Sequence, residues 1–466
     1  MHRQLRHGLR LSALALACGL AFPAIASADS KREAALEQRV SDLERQVQEL
    51  MSEVRAQHAA QVAAQAAPPP TPVAANAPLP KATATVGGKP PIQETTITPG
   101  ASPNTTFRFG GYVKADFMAT RTGDGQLADG ASGRALYVPG QTPVGGHGSG
   151  TDFDAHAKFS RFNFGVDSLT DNGDKLGAFL EMDFFGNALG TQVSTNTYGV
   201  TVRHAYAYWN NWLAGQTWSN FVDPSAFPET VDFIGPTDGV VFVRQAQVRY
   251  TNGGLSVSLE NPETTIIPNG GGAPIQSDRG AIPDVTLRYG WKGDWGTFGV
   301  GALMRDLKID RLASSTASAA KDDQLGGAFT LGGKWVIGKN DDLRYQFTLG
   351  SGFSRYIGLG VTGDTEIDAD GNLDTLDGIA GYVGWRHVFS PAWRTNVVYA
   401  RSQYDNDLAL TGGSATKSVQ SLRWNMFYSP LPKLDIGAEL MYGRRTIESG
   451  LDGDLTRLQF TTKYSF

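Results

Sequence analysis

The last twelve residues, 455–466, constrain the fold more than any other stretch of this chain. Leu458, Phe460, Thr462, Tyr464 and Phe466 share one face of a strand, and Arg457, Gln459, Thr461 and Lys463 share the other, because a strand alternates faces at every residue. Cations facing inward together do not suit the dry interior of a soluble sandwich. They suit a closed barrel in a membrane, whose outer face meets lipid and whose lumen is wet.

The pattern recurs upstream. Leu434, Ile436, Ala438, Leu440 and Tyr442 oppose Asp435, Gly437 and Glu439. Leu422, Trp424, Met426 and Tyr428 oppose Ser421, Arg423 and Asn425, and comparable runs occupy 343–349, 284–291 and 175–184. Each is about ten residues, the length a tilted strand needs to cross a bilayer. One such run is compatible with a half-buried sheet. Many of the same polarity predict a membrane barrel facing outer-membrane lipid, with Tyr289, Trp291, Trp335 and Tyr428 placed for an interfacial girdle. The 466 residues hold no apolar run of 18 or more, so no spanning helix is expected.

Residues 1–28 read as a secretory signal, with Arg3, Arg6 and Arg10, an apolar core over 11–22, and Ala26-Ser27-Ala28 for cleavage. The single cysteine, Cys18, falls inside it, so the mature chain is expected to have no disulfide. A lipid attachment site at Cys18 is the rival reading, weakened by the lack of a leucine three residues earlier. Over 29–58, Leu36, Val40, Leu43, Val47, Leu50 and Val54 step by four and three, a heptad with Val at a and Leu at d. So short a helix is marginal alone. It is expected to self-associate, with Arg39 and Glu44 placed for an interchain ion pair. Residues 59–104, rich in Ala and Pro, form a linker long enough to cross periplasm or to contact cell wall, with peptidoglycan as the implied partner.

From 105 to 466 short connections alternate with long ones. Asp171-Asn172-Gly173-Asp174, Asn210-Asn211, Asn252-Gly253-Gly254, Lys292–Trp295, Lys339–Asp341, Ser390-Pro391 and Ser429–Pro432 are tight-turn sequences. Long loops lie near 120–154, 186–200, 217–241, 262–281, 307–322, 355–376, 404–416 and 448–453. Seven turns and eight loops join sixteen strands, an even number. Both ends of the barrel then lie on the periplasmic side, where the helix is expected.

Sixteen strands leave an aqueous channel. Its polar faces carry Arg108, Lys114, Arg161, Arg203, Arg249, Arg288, Arg305, Lys334, Arg344, Arg386, Arg394, Arg423, Arg457 and Lys463, against Asp116, Asp167, Glu181, Asp183, Glu260, Asp284, Asp435 and Glu439. The wall is basic although the chain carries a formal charge of −5. Such a channel draws anions, unless the arginines serve only to brace the wall. Loop 217–241 is unlike the rest. It carries Trp218, Phe221, Phe227 and Phe233, and Pro224, Pro228 and Pro236 stiffen it. It is expected to fold into the barrel, with Asp223, Glu229, Asp232 and Asp238 facing the arginine wall; packing on a neighbouring subunit is the alternative. Arg203, Arg244 and Arg249, beside that loop, are the expected solute contacts.

Gly215–Ser219, Pro228–Phe233, Gly235-Pro236, Arg244–Tyr250 and Phe109–Phe117 together resemble the DcaP-like porin family. The terminal Phe466 also resembles the C-terminal signature of bacterial outer-membrane barrels. The resemblance runs from about residue 30 to the end. It implies a trimeric outer-membrane channel for small dicarboxylates and related anions. Val at a with Leu at d favours dimers, but barrel-wall contacts outweigh a short helix, so a homotrimer is expected.

No cofactor and no nucleic-acid partner is expected. His156, His204 and His387 lack the Ser and Asp neighbours of a triad, which leaves a barrel-embedded hydrolase as a remote alternative. A non-selective general porin and a structural anchor on the cell wall are the others. Residues 366–377 match the spacing of a calcium loop, with Gly371 at position 6, but no helices flank them; an ordinary acidic surface loop is the competing reading.

Overall fold

A computed structural model describes residues 104–148, 150–186, 198–312 and 319–466. The expected signal, coiled coil and linker lie outside the described residues.

The chain forms a closed antiparallel barrel of sixteen strands, each paired to its sequence neighbour. The first strand, Thr105–Thr122, closes the ring by pairing with the last, Asp452–Ser465, in register from Tyr112 opposite Ser465 to Thr122 opposite Leu455. The second strand is broken into Thr151–His156 and Arg161–Leu169, both paired to the first. The break turns Phe159 into the interior, where it is fully buried.

The polarity follows the alternation. Leu458, Phe460 and Tyr464 are exposed on the outer face, and Arg457, Gln459 and Thr461 between them are buried. Ile436, Leu440 and Tyr442 face out in the same way, as do Leu422 and Trp424. Trp212 against Tyr250 (4.9 Å), Tyr289 against Trp291 (4.5 Å) and Trp393 against Tyr428 (4.5 Å) form part of an aromatic girdle at the short-turn end. The turns there use left-handed backbone, at Asn210 (φ 49°) and Gly253 (φ 60°), as two-residue hairpins require.

The wall is uneven. From Arg161–Leu169 to Leu255–Glu260 the strands have 9, 9, 9, 7, 9 and 6 residues. Around the rest of the ring whole strands reach 18, as in Ala320–Ile337.

At the long-loop end Thr264–Ile267, Ile275–Ser277, Thr365–Ile367 and Leu373–Thr375 make a separate four-stranded sheet over a core of Ile266, Ile309, Ala320, Ile367 and Leu373. The stretch with calcium-loop spacing is therefore a β-hairpin. Its Asp368 carboxylate accepts from the backbone of Asp370 and Asn372 and from Asn372 Nδ2 (2.7 Å), and the Asn372 bonds hold it below the usual carboxylate range. Of the acids in that spacing, Asp368 serves the turn and Glu366 accepts from the backbone N–H of Asp407.

Candidate pore constriction

Loop 217–241 crosses the lumen. It leaves the end of Trp212–Trp218 with Asn220 N–H donating to Glu260 (2.8 Å) on the near wall. Asp223 then pairs with Arg288 (2.9 Å) and caps the 3-10 turn Pro224–Ala226 by accepting from Ser225 N–H. Farther round the ring, Tyr382 donates to the carbonyl of Ala226 (2.9 Å) and Arg344 to that of Phe227 (2.5 Å). Glu229 reaches Arg394 (2.6 Å) and Arg386 (3.5 Å). On the opposite wall Val231 N–H donates to Glu439 (2.9 Å), while Lys114 donates to the Val231 carbonyl (3.1 Å). The loop returns with Ser421 donating to Asp238 and Val241 N–H donating to Gln346, both at 2.9 Å.

Its apolar residues explain why it stays inside. Phe221, Val222, Ala226 and Val231 are buried, and Phe233 stacks on Phe159 at 4.0 Å with the rings 5° apart. Each Phe or Val among them left in water would forgo about 1.5–3 kcal/mol of burial.

The four loop acids thus have defined partners. Asp223 and Glu229 pair with wall arginines. Asp232 is buried and accepts from the backbone of Tyr137, Ile234 and Gly235. Asp238 is buried against Ser421.

The predicted basic residues divide into two sets. Arg203 is 3 % exposed, held by Glu181 (2.9 Å) and Asp183 (2.8 Å) with Phe233 over it at 5.1 Å. It faces the loop rather than open lumen, contrary to the expectation that a passing solute touches it. Arg161, beside Glu181 (3.3 Å), packs on Tyr112 and Phe233. Arg244 lies against Trp218 (4.7 Å) and Phe242 (5.5 Å). Arg305, Arg423 and Arg457 are fully buried beneath inward loops, which removes them from the water-facing set.

The second set lies on the short-turn side of the loop. Arg108, Arg249, Arg288, Lys334, Arg344, Arg386, Arg394 and Lys463 are all partly exposed or exposed there. Five carboxylates answer them, Asp167, Asp223, Glu229, Asp342 and Asp435. Among the described residues Lys334 and Arg249 have no carboxylate within ion-pair distance. Arg249 donates instead to Gln247 (2.9 Å) and to the Trp218 carbonyl. Lys334 stands directly opposite Arg344 in the strand register. Like charges so placed repel.

Sequence reasoning missed two further inward segments. Tyr137, on loop 123–150, is fully buried against Arg423 (5.0 Å), and its carbonyl accepts from Thr237 (2.9 Å). Tyr356, on loop 352–376, is equally buried against Phe221 (5.8 Å). The triplets Leu136-Tyr137-Val138 and Arg355-Tyr356-Ile357 carry the apolar signal, which is short and easily passed over beside the richer 217–241.

The family model for DcaP outer membrane protein matches residues 105–466. The outer membrane channel DcaP of Acinetobacter baumannii has a similar fold, with a TM-score of 0.64 and 24 % identity, covering 78 % of this chain and 98 % of that one. OmpT of Vibrio cholerae gives a TM-score of 0.49 at 12 % identity, over 78 % of this chain and 99 % of its own. No curated protein sequence matches the chain.

Proposed function

The chain belongs to the DcaP outer membrane protein family and is an outer-membrane channel of that kind; on that premise we propose that it passes small anions, dicarboxylates among them, in preference to cations. The observation that carries this reading is the basic surplus on the short-turn side of loop 217–241, where eight cationic side chains meet five carboxylates. A low-dielectric wall focuses that field on the water between, and Arg249 and Lys334 add charge that no carboxylate among the described residues neutralises. Arginine also takes a carboxylate through two parallel N–H donors. Asp223 and Glu229 stand on the loop side, so a solute with two carboxylates is drawn along the wall. The test is the reversal potential across a salt gradient, first in chloride and then in a dicarboxylate salt. Anion preference in both supports the proposal. Equal permeability supports a general pore.

Self-association into a homotrimer is part of the proposal, and the uneven wall supports it. Strands of 6–9 residues, tilted about 40°, rise only about 15–22 Å, less than the apolar band of about 25 Å. Lipid alone does not fit so low a wall; a second copy of the chain does. Its outer face is lined by Ala178, Ala205, Ala207 and Ala214 beside Phe164, Val166 and Leu180, a shallow groove of about 330 Å³. Small side chains there allow close approach of another wall. The heptad spacing of the sequence over 29–58 belongs to the same proposal of self-association.

A further inference from the structure

We propose that the four-stranded outer sheet is a pH-sensitive fastener for the constriction loop, working through Glu366 at its junction with the neighbouring loop. The proposal uses the channel reading only for its conductance readout.

The connection is continuous. The end of the inward loop is stitched to segment 353–358: Phe242 N–H donates to the Tyr356 carbonyl (2.9 Å), Gly358 N–H to the Val240 carbonyl (2.8 Å), and Val241 and Ile357 form an antiparallel bridge. The Tyr356 hydroxyl donates to Asp284 (2.9 Å) and accepts from Gln245 (2.8 Å), while its ring meets Phe221 at the loop's start. One residue of the outer loop therefore touches both ends of the inward one. Segment 353–358 is in turn held by Asp364, which accepts from Arg355 N–H (2.8 Å), pairs with Arg305 (2.8 Å) and binds Thr265 of the outer sheet. Two residues on, Glu366 is buried, and among the described residues its side-chain hydrogen-bond partner is the backbone N–H of Asp407 (3.0 Å).

Among the described residues, the ionisable groups that face Glu366 are unfavourable to its charge or already used. Asp374 lies directly opposite in the hairpin register. Asp407 approaches from its own loop, and Glu448 from the last loop, where it accepts from Asn406 (2.9 Å) and Lys417 (3.4 Å). Asp368 is satisfied by Asn372, and the adjoining sheet strand offers neutral Ile267. Among the described residues no lysine or arginine reaches ion-pair distance of Glu366. Burial first, then the charges of Asp407, Asp374 and Glu448, push its carboxyl up to about 7, with the Asp407 N–H bond pulling the other way. A group whose pKa is higher in the fastened state favours that state most at low pH. Its contribution fades as pH rises toward 7 and is gone above it. Alkaline medium therefore loosens the sheet from the neighbouring loop and, through Asp364 and Tyr356, the end of the constriction loop.

The test is single-channel recording at pH 5 and pH 8 on wild type, Glu366→Gln and Asp407→Asn. In wild type the ratio of flickering to quiet time rises on the order of ten-fold from pH 5 to pH 8. Glu366→Gln stays quiet at both. Asp407→Asn, which removes one facing charge and keeps the Ala409 cap, moves the midpoint to lower pH. Hydrogen exchange of the Phe242 and Gly358 amides, compared between wild type and Glu366→Gln at each pH, reads the same equilibrium without any current. Excess exchange in wild type at pH 8 alone is expected. A wild type with no pH response, a Glu366→Gln channel with the wild-type profile, or an unmoved Asp407→Asn midpoint each overturns the proposal.

Discussion

Oε1 of Glu229 stands 2.6 Å from Nη2 of Arg394, joining the middle of the inward loop to a barrel strand 165 residues away in sequence. The same guanidinium bonds Asp435 (3.1 Å) and Ser429 (2.6 Å), so the loop is fixed to a wall that is itself braced. Glu229→Gln keeps the shape and removes the charge. We expect it to weaken the anchor by about 1–2 kcal/mol, the range for a partly exposed charged hydrogen bond. Current fluctuations should rise while the barrel stays folded. A Glu229→Gln channel as quiet as wild type would show that the loop's other contacts hold it without this ion pair.

Arg249 and Lys334 test the selectivity proposal, because neither is neutralised by a carboxylate among the described residues. Replacing either by Glu should lower the anion/cation permeability ratio about two- to five-fold per unit of charge, from roughly 0.5–1 kcal/mol at wet-pore dielectric. Asp374→Asn, on the outer hairpin, should leave the ratio unchanged, since screening acts over roughly 8–10 Å. The quantity to measure is the reversal potential. Unchanged ratios in both charge reversals would remove these two residues from the solute path.

Deleting residues 225–230 removes Phe227 and Glu229 from the crossing segment. Planar-bilayer conductance should rise, because the loop occupies lumen between Arg288 and Glu439. Conductance equal to wild type would place the narrowest point elsewhere.

The low wall gives an assembly prediction. Ala207→Arg puts a charge on its outer face, where a lipid-facing position costs about 2–4 kcal/mol near the midplane. Native mass spectrometry should shift from trimer toward monomer, while deletion of residues 29–60 weakens assembly and leaves the pore open. A full mature chain that is monomeric from the start would refute the assembly.

The barrel was legible because alternation is a repeated local signal, and each run such as Leu422–Tyr428 states its two faces without help from the rest of the chain. The entry of loop 217–241 was legible from its aromatic content. The state of individual arginines was not. Arg203 and Arg249 look alike in sequence, yet one is sealed by Glu181, Asp183 and Phe233 and the other donates to an amide and a carbonyl oxygen. That difference depends on which loop lies over each, a long-range property with no local trace. The shape of the outer hairpin was not legible for a related reason. Acids at alternate positions suit a metal loop or a β-turn equally, and the strand pairing with Thr264–Ile267, distant in sequence, has no local trace.

Because Thr105–Thr122 is bonded to Asp452–Ser465, and Phe466 stacks on Phe109 at 5.7 Å, the ring has a seam made of the first and last pieces of the described chain. Such a ring has no partial version. Every strand between must be in hand before the two margins can meet, and until then each margin is an open row of unpaired amides. Truncation by a few residues at the carboxyl end therefore does not shorten the molecule. It strips the Tyr112 end of the first strand of its seam partners, and an edge of that kind invites the wrong neighbour in a crowded periplasm.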